Sequence, residues 1–186
     1  MIEYKKVRTR GQYKGLKEFI DDMWDIREIS SFVEIGSYAG ESTMMFANKF
    51  VDAEIYCIDP WNDMDFEAYE IDKVGVGSYT KPSLVESIFD ENIKNYNNIT
   101  KIKLTSEEAS SQFDDNSLDM VYIDGIHTVK YIAIDLEKWI PKVKSGGIIS
   151  GHDFSQRFRK YANYIKNYMR GQPIKVYGDN SWYYIK

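Results

Sequence analysis

Short apolar runs alternate along the chain with longer amphipathic stretches. The runs are rich in β-branched and aromatic residues and are bounded by turn residues, a pattern typical of buried strands. We predict seven strands, over residues 31–37, 54–60, 99–104, 118–124, 146–151, 174–177 and 182–185. The early strands are almost entirely apolar, which is expected when helices cover both faces of a sheet.

Apolar side chains recur at helical spacing between these strands. We predict helices before the first strand (with Leu16, Phe19, Ile20 and Met23 on one face) and over 41–50, 85–93, 129–140 and 158–169. Strands that alternate with helices indicate crossover units and a mainly parallel α/β sheet. Only residues 178–181 separate the last two strands, which indicates a hairpin and one antiparallel strand at the end of the sheet.

The composition is typical of one globular domain. The chain has 186 residues, of which 43% are hydrophobic and 28% are charged, so residues 1–186 can form a single core. Residues 1–30 are interpreted as an N-terminal helical segment. The polar stretch 61–82 follows the carboxyl end of a strand, where ligand-binding loops lie in open α/β sheets. We interpret it as a lid or substrate loop, with an irregular insertion as the alternative.

Charge and apolar patterning argue against two classes of partner. A net charge of −5 offers no basic surface for nucleic acid or an anionic membrane. No segment reaches the roughly 18 apolar residues of a membrane span, and the first residues lack the apolar stretch of a signal peptide. The single cysteine, Cys57, lies in an apolar run and cannot form an internal disulfide. We therefore expect a cytoplasmic protein, whose oligomeric state the sequence does not specify.

The first predicted strand leads into a glycine turn and a helix. Gly36 and Gly40 allow the backbone to approach a ligand closely, and the start of the helix offers free amides to an anionic group. The G-x-G-x-x-G pattern of nicotinamide sites is absent. Glu34, before the first glycine, suits a ligand with an amino group better than a pyrophosphate. S-adenosylmethionine carries an ammonium, a carboxylate and no phosphate, so this loop favours it as the cofactor.

Two later strand ends extend the predicted cofactor site. Asp59 ends the second strand and is placed to accept hydrogen bonds from ribose hydroxyls. After the third strand, the sequence favours a helix capped by Ser106, with Glu107 and Glu108 in its first turn. An adenine contact is the functional alternative for the same residues.

Four motifs lie in order at predicted strand ends: VEIGSYAGEST at 33–43, IDPW at 58–61, YIDGIH at 122–127 and SGGIISGHD at 145–153. Together they resemble the class I S-adenosylmethionine-dependent methyltransferases, in particular the small O-methyltransferase-like branch related to sugar and catechol methyltransferases. The resemblance runs from about residue 31 to the end of the chain. It implies a Rossmann-like, doubly wound sheet of seven strands in the order 3-2-1-4-5-7-6, with strand 7 antiparallel.

The glycine loop and this resemblance together predict which residues contact the cofactor. They are Glu34, Gly36, Ser37, Gly40, Ser42, Asp59, Pro60, Trp61, Ser106, Glu107, Asp124 and Gly125.

The candidate catalytic residues lie past the fourth and fifth strands. The only two histidines of the chain, His127 and His152, each lie beside an aspartate there. Asp124 and Asp153 are candidate ligands for Mg²⁺, which takes oxygen ligands and could hold two vicinal substrate oxygens. We predict His127 as the general base, since its ordinary pKa suits the task, and His152 as a hydrogen-bonding group for the substrate.

The metal assignment has an alternative. Metal-dependent relatives often carry a further acidic residue two places after the first aspartate, where this chain has Ile126, and a second carboxylate where it has His152. Without an ion, Asp124 would cap the next helix and contact the methionine part of the cofactor. Asp124, His127 and His152 remain the predicted catalytic set in either case.

The predicted function is methyl transfer from S-adenosylmethionine to a hydroxyl of a small molecule such as a sugar or phenol. Several aromatic residues outside the common core could stack on such an acceptor or simply be core: Trp61, Phe66, Tyr69, Tyr79, Phe154 and Phe158. One alternative is an NAD(P)-dependent oxidoreductase, and another is a non-catalytic cofactor-binding protein of the same fold. A nucleic-acid methyltransferase is disfavoured, because the fourth strand ends in Asp-Gly-Ile-His rather than in an Asn/Asp-Pro-Pro-aromatic motif.

Overall fold

A computed structural model describes residues 10–62 and 82–186. The strands are β1 (Ser31–Ile35), β2 (Glu54–Ile58), β3 (Ile99–Ile102), β4 (Leu118–Ile123), β5 (Val143–Gly151), β6 (Lys175–Val176) and β7 (Trp182–Ile185). The helices are α1 (Arg10–Ile26), α2 (Glu41–Lys49), α3 (Pro82–Ile93), α4 (Ser106–Ser110), α5 (Val129–Trp139) and α6 (Arg159–Tyr168).

The strands form one seven-stranded sheet in the order β3-β2-β1-β4-β5-β7-β6. The pairs from β3 to β5 are parallel, and β7 is antiparallel to both β5 and β6. The predicted Rossmann-like α/β fold, strand order and antiparallel strand 7 are thereby confirmed. Because β1, β2, β4 and β5 are parallel, their carboxyl ends meet at one edge of the sheet, which is where a ligand binds in such folds.

Two apolar layers cover the two faces of the sheet. On one face, Phe19 of α1, Phe46 of α2 and Phe89 of α3 pack against the sheet. On the other face, Ile132 of α5 and Ile165 of α6 do the same. Both faces of β4 are therefore covered, and all six of its residues are buried, which explains why its sequence shows no polar alternation.

Three local predictions were wrong. β5 begins at Val143 rather than at residue 146, because Lys-Ser-Gly-Gly continues the strand through an irregular pairing with β4 instead of forming a turn. β6 has only two residues, both exposed at the sheet edge. Ser106 is not the N-cap residue of α4, because Thr105 holds that position. The Thr105 hydroxyl accepts a hydrogen bond from the Glu108 amide, and the Glu108 carboxylate accepts one from the Thr105 amide, which together form a capping box.

Helix α1 covers residues 10–26 of the segment before β1, and its apolar face is buried: Leu16 and Phe19 are fully covered. The predicted lid over 61–82 lies, apart from its ends, outside the described residues. Among the helices in residues 10–62 and 82–186, none has the length and apolar character needed to cross a membrane.

Candidate active site

The loops after β1 and β4 touch each other at the ligand edge of the sheet. The Gly36 amide donates to the Ile58 carbonyl of β2 at 2.8 Å, and Gly36 has a φ of 83°. A Cβ at this position would lie 2.3 Å from the Asp124 carbonyl oxygen. Gly36 is therefore required by the contact with the β4 loop as well as by its backbone conformation. The close approach observed here is to Asp124, and an approach of Gly36 to the cofactor stays a prediction.

Glu34 joins β1 to α2 inside the protein. Its side chain is fully buried. One carboxylate oxygen accepts from the Ser42 hydroxyl at 2.5 Å and the other accepts from the Thr43 hydroxyl. Glu34 and Ser42, two of the predicted cofactor residues, are thus hydrogen-bonded to each other. These bonds fix the start of α2 relative to β1, and a direct cofactor contact by either residue stays a prediction.

The N-terminus of α2 faces the same edge. Gly40 is the N-cap residue, with a φ of 81° and no side-chain cap, and the N-terminus of a helix favours an anionic group. Ser37 is buried, and its carbonyl accepts from the Gly40 amide at 2.8 Å, which closes the turn.

Asp59 is held by two backbone amides. Oδ2 accepts from the Tyr38 amide at 3.0 Å, and Oδ1 accepts from the Trp61 amide at 2.9 Å. Burial raises the pKa of Asp59 to about 6, although the amides of Trp61 and Tyr38 act in the opposite direction. Tyr38 and Trp61 both have positive φ, 48° and 40°, a strained conformation for large side chains. The carboxylate is thus fixed between the β1 and β2 loops.

Trp61 is part of the wall beside Asp59. It is 2% exposed, its indole donates to the Tyr38 carbonyl at 2.8 Å, and its ring packs 4.7 Å from that of Phe89. Pro60, between Asp59 and Trp61 in the sequence, is half-buried. Trp61 therefore belongs to the protein core at the base of the site.

Ser106 connects α4 to α5. Its hydroxyl donates to Asp135 Oδ1 at 2.5 Å and accepts from the Trp139 indole at 2.8 Å. Burial raises the pKa of Asp135 to about 7, and the hydrogen bond from Ser106 offsets only part of that effect. Glu107, in contrast, is exposed and pairs with Lys138 at 3.4 Å. An adenine contact by Ser106 or Glu107 stays a prediction.

The ends of β4 and β5 bring two histidines and two aspartates together. His127 Nε2 lies 2.6 Å from Asp153 Oδ2 and 3.6 Å from Asp124 Oδ1. His152 Nδ1 lies 3.2 Å from the same Asp153 oxygen and 3.7 Å from the same Asp124 oxygen. All four side chains are buried or nearly so. Gly125 separates Asp124 from the turn that carries His127.

Asp153 occupies the centre of this cluster. Burial alone would raise the pKa of its carboxyl, but hydrogen bonds and charge interactions with His127 and His152 hold it well below its usual range. Its φ is 57°, so the backbone is strained where the carboxylate is presented. Asp124, His152 and Asp153 each offer one ligand atom, and these atoms lie within 4.8 Å of one another. The donor set fits a divalent cation.

Aromatic rings border the histidines. The Phe158 ring lies 5.0 Å from that of His127, and Phe154 packs 6.2 Å from Trp182. Tyr161 packs edge-on to His127, and its buried hydroxyl has no hydrogen-bond partner among the described residues. The predicted acceptor-stacking residues Phe154 and Phe158 therefore have partners within the protein, while Phe66, Tyr69 and Tyr79 lie outside the described residues.

The structure thus groups most predicted residues at one edge and adds two that sequence reasoning missed. Asp135 and Asp179 are buried carboxylates adjoining Ser106 and His152. Asp135 falls on the apolar face of a helix, which was a usable signal, since charges are rarely buried without a partner. Asp179 lies in a hairpin turn, where aspartate is ordinary, so its burial could not be inferred from the sequence.

Comparison with known proteins now gives these features a context. A family model described as a methyltransferase domain matches residues 33–154, more than half of the chain. A Staphylococcus aureus protein described as a caffeoyl-CoA O-methyltransferase superposes with a TM-score of 0.65 at 18% identity, over 98% of this chain and 85% of the other. The precorrin-6y C5,15-methyltransferase of Geobacter metallireducens gives a TM-score of 0.61 at 14% identity, over 99% and 91%. At these identities the structures show a shared fold alone.

One curated relative is also similar in sequence. The uncharacterized protein y4gI of Sinorhizobium fredii is 21% identical over 141 residues, which is 73% of this chain. The match spans only 14% of the length of that protein.

Proposed function

Because the chain belongs to the methyltransferase-domain family, we propose that it transfers the methyl group of S-adenosylmethionine to a hydroxyl oxygen of a small molecule such as a sugar or phenol. The observation that carries the proposal is the cluster of His127, His152, Asp124 and Asp153 at the ligand edge of the sheet. A binding protein without activity needs no such grouping of acid and base groups beside the cofactor loop.

The residues at the edge fit the cofactor that this fold implies. The N-terminus of α2 suits its carboxylate, and Asp59 follows β2 as the acidic residue that holds ribose hydroxyls follows its strand in dinucleotide-binding sheets. When bound, S-adenosylmethionine supplies an electrophilic methyl group on a sulfonium. The protein then needs to hold the acceptor oxygen in line with that methyl and to take up its proton.

His127 is the candidate for taking up that proton. Its Nε2 atom lies 2.6 Å from Asp153 Oδ2, and a carboxylate in this position orients an imidazole and stabilises its protonated form. The rings of Phe158 and Tyr161 pack against the imidazole. His127 therefore serves as the general base, Asp153 as its orienting partner, and Asp124 and His152 as groups that position the acceptor.

Asp124, His152 and Asp153 are also the residues that would hold a divalent cation. A bound cation would lower the pKa of an acceptor hydroxyl. The imidazole donor in the set suits Mn²⁺ or Zn²⁺ better than Mg²⁺, which prefers oxygen ligands throughout. We expect Mn²⁺ to restore more activity than Mg²⁺ after chelation with EDTA, whereas activity that survives EDTA unchanged would remove the cation from the proposal.

Two measurements test the proposal. Calorimetry with S-adenosylhomocysteine and with NAD⁺ separates the methyltransferase from an oxidoreductase, and heat with NAD⁺ alone would overturn it. Transfer of a radiolabelled methyl group from S-adenosylmethionine to catechol, caffeate and simple sugars then tests the acceptor class. Labelling of an oxygen supports the proposal. Labelling only of carbon or nitrogen acceptors in a wider screen would contradict it.

A further inference from the structure

The His152 ring lies between carboxylates on both sides. Nδ1 faces Asp153 Oδ2 and Asp124 Oδ1, at 3.2 and 3.7 Å. On the opposite side of the ring, Nε2 lies 3.7 Å from Oδ2 of Asp179. The side chains of His152 and Asp179 are 5% and 0% exposed, so protein groups rather than water set the orientation of the ring.

Asp179 is fixed from within its own turn, between β6 and β7. Oδ1 accepts from the Ser181 amide at 3.0 Å and Oδ2 accepts from the Ser181 hydroxyl at 2.8 Å. A turn of this type needs only an aspartate or asparagine at the surface. Complete burial of the carboxylate has a large desolvation cost. The turn alone does not require this burial.

Helix α1 holds this turn against His152. Gly15 lies in the interior of α1, and a Cβ there would lie 2.6 Å from both Cβ and the backbone nitrogen of Asp179. Glycine destabilises the interior of a helix. The close approach of Asp179 explains why a glycine is nevertheless present at position 15. The contact thus depends on a second element that is distant in sequence.

We propose that Asp179 is a positioning residue, which directs the Nε2–H side of His152 toward the hairpin and leaves Nδ1 as the third ligand beside Asp124 and Asp153. A carboxylate can only accept hydrogen bonds, so Asp153 and Asp124 favour hydrogen on Nδ1 as long as no cation is bound. A cation between these carboxylates needs the lone pair of Nδ1, and Asp179 then favours the ring state with hydrogen on Nε2. Carboxylates behind ligating histidines commonly have this effect and raise metal affinity. The inference rests on the cation site of the proposed function.

Zn²⁺ is a suitable probe because it is diamagnetic and accepts imidazole and carboxylate ligands. The chain has two histidines, so ¹⁵N-histidine labelling gives two imidazole spin systems, which His127→Gln assigns. In Zn²⁺-loaded wild-type protein we expect His152 to carry its hydrogen on Nε2 and to bind the ion through Nδ1. A hydrogen that stays on Nδ1 would overturn the inference.

Zn²⁺ affinity measured by calorimetry gives the second readout. Asp179→Asn places an amide against Nε2 and should weaken Zn²⁺ binding by about 10- to 100-fold. The matched control is Asp119→Asn, which alters another buried aspartate, at the amino end of β4, that is paired with Arg27 and Lys144. This variant should leave Zn²⁺ affinity unchanged.

A further variant covers the case in which Asp179→Asn does not fold. Gly15→Ala displaces Asp179 without altering a polar atom, and it should also weaken Zn²⁺ binding. A Zn²⁺ affinity equal to that of wild type, in whichever of the two variants folds, would refute the role of Asp179. If wild-type protein does not bind Zn²⁺, both the cation site and the role of Asp179 are overturned. Methyl transfer and cofactor binding are measured in separate assays, so this outcome leaves the proposed function standing.

Discussion

His127 Nε2 lies 2.6 Å from Asp153 Oδ2, although the two residues follow different strands and are 26 positions apart. The pairing arises because β4 and β5 are parallel neighbours, so their carboxyl ends present both side chains at one edge. The proposed base and its orienting carboxylate are thereby held in contact by the fold itself.

Replacing His127 tests this pair. His127→Gln keeps a polar side chain but removes the base, so we expect methyl transfer to fall by about 100-fold or more. S-adenosylhomocysteine affinity should remain within about twofold, because none of the cofactor contacts proposed for Gly36, Asp59 or α2 involves this side chain.

Asp153→Asn is the companion variant. It removes the carboxylate charge beside His127 and should also lower the rate, while the double variant should lose little more than either single one, since groups that act as a unit are non-additive. If the fold-reductions in rate of the two single variants multiply in the double variant, the two residues act independently.

The buried carboxylate of Asp59 predicts a pH dependence of cofactor binding. Its pKa is raised to about 6, so Asp59 is mostly ionised at pH 7 and mostly protonated at pH 5. Only the ionised form offers both oxygens as acceptors to ribose hydroxyls. S-adenosylhomocysteine affinity should therefore fall by about tenfold from pH 7 to pH 5.

Calorimetry across this pH range checks the Asp59 prediction. Asp59→Asn should bind weakly at both pH values, with little dependence on pH, and Asp59→Ala should bind weakly as well. A wild-type affinity that is constant between pH 5 and 7 would contradict the assignment of Asp59 to the cofactor.

Asp135 predicts a pH dependence of stability. Its pKa in the folded protein is raised to about 7, above the ordinary value of 3.8. Between these values the folded state binds more protons than the unfolded state, so the free energy of unfolding falls as pH rises, on the order of 1 kcal/mol per unit at most. Asp135→Asn keeps an acceptor for Ser106 and should remove this slope.

Denaturant unfolding at pH 5 and pH 8 measures the Asp135 effect. The variant should gain clearly more stability relative to wild type at pH 8 than at pH 5. Asp114→Asn, at an exposed position, is the control and should follow the wild-type curve. Parallel curves for Asp135→Asn and wild type would contradict the prediction.

The sequence allowed the fold to be predicted nearly completely, and the site only in outline. Strand and helix periodicity specify which segments pair, and strand ends with glycine or aspartate show where the edge lies. The directions of individual side chains depend on tertiary contacts that no local pattern records. Glu34 is such a case, because its carboxylate is bonded to Ser42 and Thr43 inside the protein. Asp179 is another, because it is buried by Gly15 of a distant helix.

Gly36 and Gly171 provide a matched pair for the glycine loop. Both have φ near 80°, so alanine at either position pays the same left-handed backbone cost of about 1–2 kcal/mol. A Cβ at residue 171 meets nothing within 4 Å, whereas one at residue 36 would lie 2.3 Å from the Asp124 carbonyl oxygen. Gly36→Ala should therefore lose about 1–3 kcal/mol more than Gly171→Ala.

Gly36→Ala should also alter the site, because relief of the clash moves the loop after β1 away from Asp124. Gly36→Ala should weaken S-adenosylhomocysteine binding and slow methyl transfer, while Gly171→Ala, at an exposed position after α6, should change neither. Thermal or denaturant unfolding of both variants, followed by calorimetry on the folded proteins, separates the two effects. Equal stability losses would mean that the β1 and β4 loops part without cost, and that Gly36 is needed for its backbone conformation alone.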